Sequence, residues 1–165
     1  MKSKKILFIL TLLFIAYQGN TQSIQPYLKY NIWSTKVLNS RSNQGFIEIG
    51  GDYERIINDK IGLNGGVSYS LSTQSGGTKF FSINAGGNYY SNDQNEGLYF
   101  GANFGYGFYK NGSYLEYYAK AGYAIELGNG SLKPHIGIGS CSFGSNGFRI
   151  GGLLIPIGVA YSISL

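Results

Sequence analysis

From Leu98 to Leu127 the chain alternates twice between apolar residues and polar or glycine residues, and the two runs meet at Asn111-Gly112. In the first run Leu98, Phe100, Ala102, Phe104, Tyr106 and Phe108 share one parity, while Tyr99, Gly101, Asn103, Gly105, Gly107 and Tyr109 share the other. In the second, Leu115, Tyr117, Ala119, Ala121, Tyr123, Ile125 and Leu127 oppose Glu116, Tyr118, Lys120, Gly122, Ala124 and Glu126. A period of two is the signature of a strand, and Asn-Gly between two such runs favours the positive φ angles of a tight hairpin turn. The stretch therefore reads as a long antiparallel hairpin with one wholly apolar face and one that is polar, charged or glycine.

The same pattern recurs along the chain. Gln25 to Ser34 places Leu28, Tyr30 and Ile32 on one side. Phe46 to Ile57 sets Ile47, Ile49, Gly51 and Tyr53 against Glu48, Gly50, Asp52 and Glu54. Ile61 to Leu71, Phe80 to Tyr90, Ser131 to about Ser140, and a last run ending at Leu165 complete a set of eight, each read as roughly ten residues, the length a tilted strand needs to cross a bilayer. Thr35 to Gln44, Ser72 to Lys79 and Cys141 to Gly147 are expected to be loops, and Asn58-Asp59-Lys60 a turn. Eight strands with short connections predict an all-β fold, an eight-stranded antiparallel up-and-down transmembrane β-barrel.

The membrane part of that expectation rests on which face carries charge. A soluble barrel turns its apolar face inward and a membrane barrel turns it outward. The charged face here is rich in glycine and sparse in charge, which makes a poor aqueous surface. Glycine supplies 26 of the 165 residues, and only 13% are charged, about half the usual share. The apolar face carries aromatics near the strand ends. Tyr53, Tyr89, Tyr123 and Tyr161 are expected to form one interfacial girdle, and Tyr69, Phe81, Phe108 and Tyr117 the other.

Residues 1–23 read as a signal peptide. Lysines lead, an eleven-residue apolar run from Ile6 to Ala16 follows, and a polar stretch ends it. Eleven residues fall short of the roughly 20 that a helical span requires. Cleavage after Thr21 or after Ser23 satisfies the small-residue rule, leaving 24–165 as the barrel domain. The formal charge of +5 owes three of its positive charges to Lys2, Lys4 and Lys5; without them ten Lys and Arg face eight Asp and Glu. A net of +2 with no basic stripe argues against a nucleic-acid partner. Cys141 is the single cysteine, so no intrachain disulfide is possible and no metal site is expected.

On this alternation and on the terminal run LLIPIGVAYSISL, Ile24 to Leu165 resembles the small outer-membrane barrels of the OmpA/OmpX type and the broader outer membrane protein β-barrel domain, or porin-like, family. The last strand is similar to the C-terminal insertion signal of such proteins, with Leu165 where an aromatic residue is common and Tyr161 on the same face. The resemblance implies export to the bacterial outer membrane, with outer-membrane lipid and the barrel-assembly machinery as partners. It fixes architecture and location far better than activity.

The best chemical constellation is a set of inward charges, Glu48, Asp52, Glu54, Glu116, Lys120, Glu126, Lys133 and His135. Eight strands leave an interior just wide enough for side chains, so these groups are expected to pair and to fill the lumen. Lys120 and Lys133 are the expected cations. His135 and Ser140 invite comparison with outer-membrane lipid A deacylases, which use a His and a Ser on a barrel strand, but five residues of alternation put them on opposite faces. No catalytic residue, cofactor or metal is expected. The reading is a structural or surface-interaction barrel with a largely plugged lumen; a narrow porin for small solutes is the alternative, ahead of a lipid-modifying barrel enzyme. N-terminal sequencing of outer-membrane material should begin near Gln22 or Ile24, and intact Met1 there would refute the export reading.

Overall fold

The computed structural model describes residues 22–37, 40–58, 60–74, 77–93, 95–110, 112–145 and 148–165. Most of the expected signal segment, and the turn residues Asp59 and Asn111, lie outside them. Eight strands follow one another in chain order: β1 (Gln22–Val37), β2 (Ser40–Asn58), β3 (Ile61–Ser72), β4 (Lys79–Tyr90), β5 (Gly97–Tyr109), β6 (Gly112–Leu127), β7 (Gly130–Ser145) and β8 (Phe148–Ser164). Each pairs antiparallel with the next, and β8 pairs with β1, closing the barrel. No sheet edge is left, which is what a strand-built structure in hydrocarbon requires.

The registers fix the barrel's shape. Passing from partner to partner, Ile24 leads to Tyr53, Gly65, Ala85, Phe104, Tyr117, Ser140 and Leu153, and Leu153 pairs with Ser34. The path thus returns to β1 ten residues from its start. At about 3.3 Å per residue and about 4.8 Å between strands, that stagger tilts the strands by about 40°.

The strands run from 12 to 19 residues, longer than the ten or so the alternation predicts. Two expected loops are largely strand instead. β1 and β2 stay paired from Trp33↔Gln44 up to Val37↔Ser40, and β7 and β8 from Cys141↔Gly152 up to Ser145↔Phe148. The Ser, Asn and Arg residues there break the hydropathy pattern, but backbone pairing does not depend on it once the strand has cleared the apolar layer. At the other boundary β1 begins at Gln22, two residues ahead of the expected domain start.

The hairpin between β5 and β6 also differs in detail. Tyr109 pairs with Gly112, so Gly112 is the first ladder residue rather than part of the turn. The described glycines with positive φ are Gly97 and Gly128. Gly112 answers a different demand, because a Cβ there would run into the Tyr109 ring and the Gly144 carbonyl.

The wall is inside out relative to a soluble barrel. Ile49, Leu63, Ile83, Phe100 and Ile138 are more than half exposed, whereas Lys29, Glu48, Glu54, Glu116 and Lys133 are buried. All eight girdle candidates lie on the outer face; seven are exposed, and Tyr161 is half-buried with its hydroxyl donating to the Leu127 carbonyl oxygen at 3.0 Å. Phe81 and Tyr89 stand eight residues apart on β4, which at this tilt separates them by about 20 Å along the axis, close to the height of an apolar barrel band. Ala102 and Ile138 lie between the two levels. Ala102→Arg or Ile138→Arg should therefore cost about 2–4 kcal/mol of stability in lipid, whereas Asn103→Ser on the inner face should be tolerated. Folding yield into vesicles, read from heat-modifiable gel mobility, measures both, and equal tolerance on the two faces would reverse the orientation.

Candidate functional site

Inward parity on β1, β2, β6 and β7 brings most of the expected charge cluster, and Lys29 with it, into the barrel interior, where two ion-paired layers form. In the first, nearer the hairpins that join β1 to β2 and β7 to β8, Lys29 Nζ lies 3.1 Å from Glu48 Oε2 and 3.1 Å from Glu116 Oε1. Its third donor reaches the Tyr118 hydroxyl at 3.2 Å, and the ammonium stands 4.8 Å from the centre of that ring. Glu48 also accepts from the Tyr27 hydroxyl at 2.9 Å and from Asn31 Nδ2 at 3.0 Å, and Glu116 accepts from the Tyr114 hydroxyl. One ammonium therefore serves two carboxylates, and every donor on it is used.

The second layer lies toward the chain termini and centres on Glu54. Its carboxylate accepts from Lys133 Nζ at 3.3 Å, from Asn88 Nδ2 at 2.6 Å, from the Tyr90 hydroxyl at 2.7 Å and from Gln25 Nε2. Lys133 donates in turn to the Tyr90 hydroxyl at 3.0 Å and lies over the Tyr90 ring. A carboxylate with this many donors keeps its charge stabilised where water is scarce.

Asp52, Lys120 and His135 stand between the layers. They line, with Asn103 and Tyr99 among others, a void of about 20 Å³, room for about one water. Asp52 accepts from Asn64 Nδ2 at 3.0 Å. Lys120 makes no direct ion pair among the described residues, so its expected role as a principal counter-ion is not what the geometry gives. Glu126 departs from the expected cluster as well: it keeps inward parity opposite Ser131 but is exposed at the rim. His135 Nδ1 lies 3.3 Å from the Lys133 carbonyl oxygen, and Ser140, on the outer parity, donates to the Gly152 carbonyl oxygen at 3.0 Å. The two are not brought together.

Lys29 is the member that sequence reasoning left out. Its signal was available, because it sits between Leu28 and Tyr30 in an alternating run and so shares the inner parity. The inward glycines also take on a meaning that parity alone does not supply. A Cβ at Gly62 would lie 2.6 Å from Glu54 Oε1, and one at Gly105 would lie 2.8 Å from Glu116 Cγ. The space these glycines leave is occupied by carboxylate side chains lying across them.

No known protein-family model matches the chain, and no curated protein matches it. Among solved structures it is similar to the crystal structure of Neisserial surface protein A, with a TM-score of 0.63 at 14% identity over 86% of this chain and 96% of that one. It is also similar to the solid-state NMR structure of the outer membrane protein AlkL in lipid bilayers, with a TM-score of 0.53 at 11% identity over 89% of this chain and 91% of that one. These likenesses establish the fold as that of small outer-membrane barrels.

Because Lys29 is the one cation paired with two buried carboxylates among the described residues, Lys29→Met should destabilise the barrel by about 3–5 kcal/mol, the usual penalty for breaking a buried pair from one side. Adding Glu48→Gln and Glu116→Gln to it should recover most of that loss, and Lys120→Met should cost less than Lys29→Met. Equilibrium urea unfolding in lipid measures all three.

Proposed function

We propose that this chain is an integral protein of the bacterial outer membrane, with a structural or surface-interaction role and a lumen closed by its own side chains. The observation that carries the reading is the pairing of an exposed apolar wall with an interior in which a void of about 20 Å³ lies between two ion-paired layers. A hydrated ion or small solute needs a continuous path, and the Lys29 and Glu54 networks lie across it. The likeness to two outer-membrane barrels supports the location.

The reading includes export through the N-terminal segment and insertion by the barrel-assembly machinery. Cleavage after Thr21 is the better fit of the two sites. Ser23 pairs with Glu54 and Ser164 in the ladder, and the Leu165 amide donates to the Gln22 carbonyl oxygen at 2.9 Å. Cleavage after Ser23 would remove those pairings from the seam that closes the barrel. The separation of His135 from Ser140 supports a non-catalytic role.

The purified protein should show heat-modifiable mobility in detergent and no sustained single-channel currents in a planar bilayer. Sustained currents would replace this reading with a narrow pore. Release of fatty acid from lipid A that disappears in His135→Ala would replace it with an enzyme.

A further inference from the structure

The barrel's mouth at the end away from the chain termini differs from the rest of its interior. Four inward aromatic rings gather there around a fifth, Phe143. Trp33 lies 4.9 Å from it, Phe80 5.7 Å, Tyr109 6.2 Å and Phe46 6.3 Å, centre to centre, mostly tilted or edge to face. Beneath them Tyr114, 4.8 Å from Phe143, carries the floor down to Glu116 and the Lys29 layer. Above them is an open cavity of about 330 Å³, at the lower end of the range for small-molecule sites.

We propose that this mouth is a binding cup for a small, uncharged, ring-bearing organic molecule. The proposal deepens the surface-interaction reading and rests on it, since the cup must face the cell exterior. Three observations select the ligand class. The floor offers ring faces and edges, to which another ring binds by stacking or edge contact. The described residues around the cavity are all uncharged, with Gln44, Ser72, Gln74 and Thr78 providing amide and hydroxyl groups at the rim. An ionised ligand would lose hydration there without gaining a partner. The floor is also level with one girdle, because Phe80 directly precedes Phe81 on β4. The cup therefore opens beyond the lipid rather than sideways into it, and suits a molecule arriving from water better than a lipid tail.

The cup is also built before any ligand arrives. The Thr73 amide and hydroxyl both donate to the Gly45 carbonyl oxygen at 2.9 Å, tying the segment after β3 to β2. The Ser72 amide donates to the Thr78 carbonyl oxygen at 3.2 Å and the Gly77 amide to that of Gln74 at 3.0 Å. A wall fixed in this way loses little freedom on binding. The ion-paired layers below make the cup a dead end, so a molecule entering it binds and leaves by the same mouth.

Trp33 is the sole tryptophan of the chain and lines the cup, so its fluorescence reports occupancy directly. The full-length mature protein in lipid nanodiscs is titrated with para-bromophenol, a neutral aromatic quencher, and in parallel with para-bromobenzenesulfonate. Gln44→Phe, which puts a ring opposite Trp33 across the β1–β2 ladder, serves as the filled variant, with Thr78→Phe as a second in case the first does not fold. Saturable quenching by the phenol, weakened about tenfold in a folded filled variant, with no saturation by the sulfonate, supports the proposal. Quenching that rises linearly and equally in native and filled proteins would show partition into the bilayer and overturn it. Equal affinity for the sulfonate would overturn the uncharged class, and saturable quenching by a brominated acyl lipid that the filled variant abolishes would overturn the small-molecule occupant. Bilayer currents test the closed lumen separately, so either reading can fail alone.

Discussion

Closure of the sheet on itself with a stagger of ten residues is the constraint on which the rest of the structure depends. In hydrocarbon no solvent satisfies a loose strand edge, so all eight strands must pair twice. Strand number and stagger together set the radius. That radius leaves an interior that side chains can fill but water cannot occupy in bulk, and the buried charges of Lys29, Glu48, Glu54, Glu116 and Lys133 find their partners among other side chains.

This explains why the interior is organised around a few long cations rather than a uniform polar lining. Lys29 reaches its ladder neighbour Glu48 and, across the lumen, Glu116, and Lys133 crosses to Glu54, linking β1 with β2 and β6, and β7 with β2. Tyrosine supplies further partners because its hydroxyl reaches the centre from the wall while its ring fills the space on the way: Tyr90 and Tyr114 donate to Glu54 and Glu116, and Tyr118 accepts from Lys29. Where the ion pairs stop, at the end away from the termini, aromatic rings take over the same filling task.

Alternation made the fold legible. Residues such as Phe100, Ile83 and Ile138 carry their orientation in their parity, and parity is all that a two-faced sheet needs. Strand ends were not legible, because pairing between Val37 and Ser40 or between Ser145 and Phe148 continues without apolar alternation to mark it. The interior was legible as a list and not as a network. Parity puts Glu48, Glu54, Glu116 and Lys133 on the inner face, where they are buried, but which cation meets which carboxylate depends on the stagger, and the stagger has no local signature. The ladder brings Lys29 opposite Glu48, yet Glu116 lies across the lumen from both. Parity likewise places Glu126 inward without revealing that its position is the rim. The aromatic cluster was hidden for a similar reason, since Trp33, Phe46, Phe80 and Phe143 are scattered over four strands and meet only when the barrel closes.

The two-residue repeat that orients every side chain also governs how such a chain can change length over evolutionary time. One residue inserted within a strand would swap lipid-facing and lumen-facing residues from that point on, unless an irregularity absorbs it, as the register shift between Ile56 and Asn58 does beside the β2–β3 turn. Two residues added to each arm at the Val37–Ser40 hairpin would preserve every facing relation below and simply raise that stretch of the rim. The height of the wall around the aromatic mouth is therefore the dimension this architecture leaves most free to drift, and descendants of this chain should differ there by paired insertions while their interior layers stay in step.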